Sequence, residues 1–263
     1  MNAAPSIQSA QNPLIKEIRR AVARGSLTRG GLCIAEGFHL LEEALRSGLR
    51  IGAVLAAEAA AAQAREIIGG GRNVRFTAVE QRVFSQLSST EHPQGVLALV
   101  EPPQWREEDL FARSAPVAVL DRVQDPGNAG AVARAAEAFG AAGMIWVKGT
   151  VARWNPKTLR SSAGSLFRLP VIDAEDAGAA AAMLRSRGLA IRVASPHEGE
   201  PPWALDWRAP CALVIGNEAH GVSEAWAGGS EPVRIPTSGV ESLNAAVAAA
   251  VILYEAMRQR GAP

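Results

Sequence analysis

Three short polar segments in the second half of the chain each adjoin an apolar run, and they constrain the fold more tightly than any bulk property. The first is Asp121-Arg122-Val123-Gln124-Asp125-Pro126-Gly127-Asn128-Ala129-Gly130, followed by Arg134. The second is Ile215-Gly216-Asn217-Glu218-Ala219-His220-Gly221, and the third runs from Ile235-Pro236-Thr237 to Ser242-Leu243-Asn244. Apolar runs at 117–120, 144–147, 189–193, 212–215 and 233–235 read as buried strands. Helical patterns fall between most of them, including 129–139 and 177–186. This alternation predicts an α/β domain with a mostly parallel sheet and helices on both faces.

The first half of the chain has a different rhythm. Residues 7–24 read as a basic helix, with Asn12-Pro13 as a start signal and Leu14, Ile15 and Ile18 on one apolar face. Lys16, Arg19, Arg20 and Arg24 lie mostly elsewhere, and Arg29 follows, so these cations form either a solvated face or an RNA contact. Strands are predicted at 32–35, 51–55, 74–77 and 96–100, with helical patterns at 40–45 and 56–68, the second stopped by Gly69-Gly70-Gly71. The expected organisation is a small α/β domain over 1–103, a proline-broken and charged linker over 104–114, and a second domain over 115–263.

Bulk properties mainly exclude. At 48% hydrophobic, the 263 residues can bury a sizeable core and do not resemble a disordered chain. A net charge of +1 means that any nucleic-acid surface is a local patch. Cys33 and Cys211 lack the spacing of a disulfide framework or zinc site, which fits a reducing cytoplasm. His220 has no suitably spaced partner ligands, so no metal is expected. No signal pattern opens the chain, and the apolar stretch 245–254 is too short to span a membrane.

Each motif has two readings. Asn128 is placed to cap a helix whose buried stripe is Val132, Ala135, Ala136 and Phe139, with Gly140 as the stop. Arg134 falls off that stripe, as a surface residue or part of a site. Gly216 and Gly221 permit close backbone approach, and Glu218 is an acid beside a buried strand. Ser242 or Asn244 could cap a helix running to about Arg258. The absence of G-x-G-x-x-G disfavours a dinucleotide-binding oxidoreductase.

Taken together, the three motifs resemble the SpoU (TrmH) family of RNA ribose 2′-O-methyltransferases, within the SPOUT superfamily. The segments Asn155-Pro156-Lys157 and Arg160-Ser161-Ser162-Ala163-Gly164-Ser165 also resemble the family's pattern. The Glu36-Gly37 turn and the stretch from Thr90 to Gly95 resemble the small, ribosomal-protein-like RNA-binding domain that often precedes its catalytic domain. Ala219 stands where the family often has glycine.

The resemblance implies a C-terminal trefoil knot, S-adenosylmethionine as cofactor, and a homodimer formed through the knotted region. It implies cofactor contacts from the backbone of Gly216, Ile235 and Leu243, with Ala194, Ser195 and Asn217 nearby. Asn128, Arg134, Glu218, Ser242 and Asn244 are the implied catalytic set. Lys157 and Arg160 would join Lys16, Arg19, Arg20 and Arg29 on RNA phosphates. Since a guanidinium stays protonated, Arg134 fits an electrostatic partner of the developing alkoxide better than a literal base. Ribosomal RNA is the expected substrate; the alternatives are transfer RNA, or an inactive RNA-binding assembly factor of the same fold. The intact polar set argues against that last alternative.

Overall fold

The computed structural model describes residues 6–69, 74–88 and 90–261, which belong to two compact units. One unit comprises Met1–Pro103 and Trp154–Arg168, and the other comprises Gln104–Arg153 and Leu169–Pro263. The expected helix-stop residues Gly70 and Gly71, and Ser89 of the loop before Gly95, lie outside the described residues.

In chain order the first unit holds α1 (Pro13–Arg24), β1 (Cys33–Glu36), α2 (Phe38–Arg46), β2 (Ile51–Ala57), α3 (Ala61–Ile68), β3 (Arg75–Val79), α4 (Gln81–Phe84) and β4 (Val96–Val100). The second begins with α5 (Glu107–Leu110), β5 (Val117–Leu120), α6 (Pro126–Ala138) and β6 (Gly143–Val147). The chain then contributes α7 (Pro156–Ser161) to the first unit. It completes the second with β7 (Val171–Ala174), α8 (Ala177–Ser186), β8 (Ala190–Ala194), β9 (Cys211–Ile215), β10 (Ser230–Val233) and α9 (Ala245–Gln259).

The first unit is built on a four-stranded sheet in the order β1-β4-β2-β3, antiparallel except for the β2–β3 pair. Helix α1 starts at Pro13 because Asn12 caps it, accepting the Leu14 amide through its side chain. Residues 7–12 are therefore not helical, contrary to the sequence reading, and Ile7 instead bridges to Val79 beside β3. Ile15, Ile18 and Ala21 bury against Ile34, Leu55, Leu97 and Leu99. Burying four such large side chains is worth roughly 6–12 kcal/mol before entropy is counted.

The segment containing α7, expected in the second domain, groups with this first unit. Two acids account for that. Glu36, 6% exposed, accepts Nη1 of Arg160 at 3.0 Å, and the buried Glu43 pairs with Arg168. Gly164 sits at φ +85, where a Cβ would meet Cβ of Glu43 at 2.7 Å, so glycine permits both the turn and the close approach.

The second unit carries a six-stranded sheet in the order β10-β8-β9-β5-β6-β7, with every neighbouring pair parallel. Alternate residues Val117, Val119, Ile145, Val147, Ile191, Val193, Ala212 and Val214 pack with Ala180, Ala181 and Leu184 of α8. Helices α6 and α9 pack on each other and reach β6 and β9 respectively. The strands read from sequence are present, with two differences. Strand β7 was not anticipated, because Asp173 interrupts its short apolar run. Strand β10 ends at Val233, earlier than expected, and includes Pro232, which a sheet-edge position tolerates. Among the described residues no helix is long and apolar enough to cross a membrane.

Candidate active site

The site residues converge where β5 and β9 end side by side. Register pairs Leu120 with Ile215, so the chain leaves both strands at the same edge. Asp121, directly after β5, is fully buried. Its carboxylate accepts the Ser223 amide, the Ser223 hydroxyl at 2.9 Å and the Trp226 indole N–H at 3.0 Å. One acid thereby ties the first motif to the chain just beyond the second. The one signal of this role in the sequence is an acid abutting a buried strand.

The cap of α6 differs from expectation. Asp125, not Asn128, is the N-cap, and its side chain accepts the Asn128 amide at 2.8 Å. Pro126 then takes the first helical position and Asn128 the third, which frees the Asn128 side chain. Its Nδ2 donates to Oε1 of Glu218 at 2.9 Å, and its Oδ1 accepts Nδ2 of Asn244 at 2.9 Å. Asn244 caps α9, its Oδ1 accepting the amides of Ala246 and Val247. The α9 cap therefore sets which way the Asn244 amide points, which in turn orients Asn128 toward Glu218. Burial pushes the Glu218 carboxyl up, but hydrogen bonds from Asn128 and from the backbone, including the Gln124 and Asp125 amides, outweigh it and hold it below its ordinary value.

The structure thus brings together Asn128, Glu218 and Asn244. Arg134 is exposed on α6 and makes no hydrogen bond or ion pair among the described residues. Ser242 is likewise exposed and does not join the cluster's hydrogen bonds. Asn217 is occupied within its own turn: Nδ2 donates to the Arg122 carbonyl, and Oδ1 accepts the Ala219 and His220 amides. Its side chain shapes the loop.

Gly216, Ile235 and Leu243 are half-buried, and none donates its amide to a backbone partner among the described residues. A Cβ on Gly216 would lie 2.5 Å from the Gly221 carbonyl carbon, so glycine lets the second motif fold back on itself. Half-buried amides and carbonyls on loops at strand ends suit the edge of an adenine, so these residues fit S-adenosylmethionine. Ala194 ends β8, and the Ser195 amide is used by the Val233 carbonyl of β10.

In the first unit, Lys16, Arg19, Arg20 and Arg29 are exposed and have no ion-pair partner among the described residues. Lys157 is exposed at the start of α7. Arg160 differs: it is only partly exposed, and its Nη1 pairs with the buried Glu36 at 3.0 Å.

This geometry is matched by known proteins. The model of the SpoU rRNA Methylase family covers residues 115–254. The chain belongs to the SpoU rRNA methylase family. A second model, the MRM3-like substrate binding domain, covers residues 12–98. The 23S rRNA (guanosine(2553)-2′-O)-methyltransferase RlmP of Bacillus subtilis is 31% identical over 94% of this chain and 97% of its own. A 23S rRNA (uridine(2479)-2′-O)-methyltransferase of Streptomyces viridochromogenes is 36% identical over 75% of this chain and 71% of its own. The crystal structure of the SpoU methyltransferase AviRb from Streptomyces viridochromogenes, in complex with AdoMet, aligns with a TM-score of 0.84 at 30% identity. That alignment covers 96% of this chain and 100% of AviRb. This SpoU protein is accordingly an RNA methyltransferase of the S-adenosylmethionine-dependent type.

Proposed function

We propose that this chain transfers a methyl group from S-adenosylmethionine to a ribose 2′-hydroxyl in ribosomal RNA. The observation that carries this reading is the Glu218–Asn128–Asn244 hydrogen-bond chain, set beside loops whose backbone amides are open. Two relatives named as 23S rRNA 2′-O-methyltransferases, and the substrate-binding domain match, favour ribosomal over transfer RNA.

The backbone of Gly216, Ile235 and Leu243 would hold the cofactor, with the β8 end at 194–195 alongside. When bound, the cofactor supplies a methyl already activated on a sulfonium. The protein's task is to bring the hydroxyl into line and favour loss of its proton. Asn128 and Asn244 align the ribose and the loops, and Glu218 holds Asn128. Arg134 stabilises the negative charge that develops on the reacting oxygen. Lys16, Arg19, Arg20, Arg29 and Lys157 bind RNA phosphates. The C-terminal part of the second unit forms the family's knot, and the enzyme works in the cytoplasm.

We also propose that the enzyme is a homodimer through α9. Val247, Val251 and Tyr254 are 49%, 41% and 51% exposed on that helix, a row of large apolar side chains that a second copy would cover. Light scattering at micromolar concentration should report a dimer, and a monomer would contradict this. The substrate assignment is tested by mapping 2′-O-methyl groups in ribosomal RNA from cells with and without the gene. One site should vanish with the gene; an unchanged ribosomal map would overturn the assignment.

A further inference from the structure

We infer that Arg122, in the loop following the central strand β5, is an additional contact for an RNA phosphodiester. The inference rests on the methyltransferase reading above. Arg122 occupies the left-handed region at φ 59, where glycine would sit without strain and an L side chain is disfavoured. Its backbone is pinned from both sides. The amide donates to Thr150 Oγ1 at 3.0 Å, and the carbonyl accepts the side chains of Gln124 and Asn217.

The side chain is aimed as well. A Cβ on Gly149 would come within 3.3 Å of Arg122 Cγ, so the arginine stem lies across that glycine. The guanidinium makes no hydrogen bond among the described residues: Nε is buried without a hydrogen-bond partner, and the side chain as a whole is 44% exposed. Asp121 approaches Nε at 3.5 Å, but that carboxylate already accepts from Ser223 and Trp226. A strained backbone therefore holds a cation whose Nε faces the buried Asp121 and whose two Nη groups make no hydrogen bond among the described residues. It stands at the carboxyl end of a central parallel strand, where ligands of open α/β sheets bind. Through its carbonyl it is joined to Asn217, next to Glu218 of the catalytic cluster. A preorganised guanidinium with free donors suits an oxyanion, and a phosphodiester near the target ribose is the oxyanion the reaction brings.

The test uses the full chain with Arg122→Gly and Arg122→Lys. Glycine keeps the left-handed backbone but also removes the ion pair of Nε with the buried Asp121, so binding is compared at a temperature where the melting curve shows the variant folded. Binding of a 23S ribosomal RNA transcript, measured against salt concentration, should weaken about tenfold for Arg122→Gly. Its log–log salt slope should flatten by about one unit. Arg122→Lys should retain the slope, and calorimetric affinity for S-adenosylmethionine should be unchanged in both variants. RNA affinity and salt slope equal to wild type in Arg122→Gly would overturn the inference. So would a loss of cofactor affinity with RNA binding intact, which would place the guanidinium on the cofactor carboxylate. If the wild-type chain binds this RNA without methylating it, the methyltransferase reading fails while the Arg122 comparison still reads out.

Discussion

Two regions of the second unit contrast in how their polar groups are satisfied. Around the ends of β5 and β9, Asp121, Asp125, Asn128, Asn217 and Glu218 are tied to one another or to nearby backbone. In the loop over 235–243 and on the outward side of α6 the reverse holds. Among the described residues, the loop's one side-chain bond is Thr237 Oγ1 to the Val240 carbonyl, no backbone bonds join it to its surroundings, and Arg134 makes no hydrogen bond or ion pair. The first region is organised by the chain itself. The second presents unused donors to whatever binds. Changes at Asp121 and Asp125 should therefore register mainly in stability, changes at Asn128 and Glu218 in both stability and turnover, and changes in the second region in turnover.

The largest effect should come from Asp121→Ala. It leaves the Ser223 amide and the Trp226 indole N–H without their buried acceptor, at about 1–3 kcal/mol for each unsatisfied group. Urea unfolding should show a total loss of about 3 kcal/mol or more. A loss under about 1 kcal/mol would mean that the ends of β5 and β9 are not held in this way.

Arg134→Ala should reverse the pattern. Removing a charge that stabilises the reacting oxygen should slow single-turnover methylation by about a hundredfold or more. The urea midpoint and cofactor affinity should scarcely move. Near wild-type turnover would remove Arg134 from the chemistry.

A smaller effect concerns acid. The Glu218 carboxyl is held below its ordinary value, so its contribution to stability is present above the unfolded value of about 4.3. It is lost as pH falls through the lower folded value. Glu218→Gln can still accept from Asn128 but carries no charge, so its stability below about pH 4.3 should decline less steeply than wild type. Parallel acid profiles would show that Glu218 is not ionically coupled to the cluster.

Much of this organisation was legible in the sequence because burial dictated it. The strands preceding the first two motifs, β5 and β9, are apolar throughout and bounded by turn residues, and the caps at Asn12 and Asn244 sit where side-chain oxygens meet orphan amides. What was not legible depended on long-range pairing. Asp125 and Asn128 are both good caps, and the choice between them is settled by Glu218 and Asn244, distant in sequence, claiming the Asn128 side chain. The ion pair of Arg160 with the buried Glu36 likewise joins residues far apart in the chain. The strain at Arg122 leaves no trace in residue order, since a left-handed arginine is spelled like any other.

The central claim is methyl transfer to the ribose oxygen. The direct test is to incubate the purified chain with S-adenosylmethionine carrying a tritiated methyl group and ribosomal RNA lacking its own modification. The RNA is then digested with alkali. A 2′-O-methyl group blocks cleavage of the adjoining phosphodiester, so label should appear in alkali-resistant dinucleotides and, after full enzymatic digestion, in a 2′-O-methylnucleoside. Label recovered in alkali-sensitive mononucleotides with a methylated base, or no incorporation at all, would contradict the account.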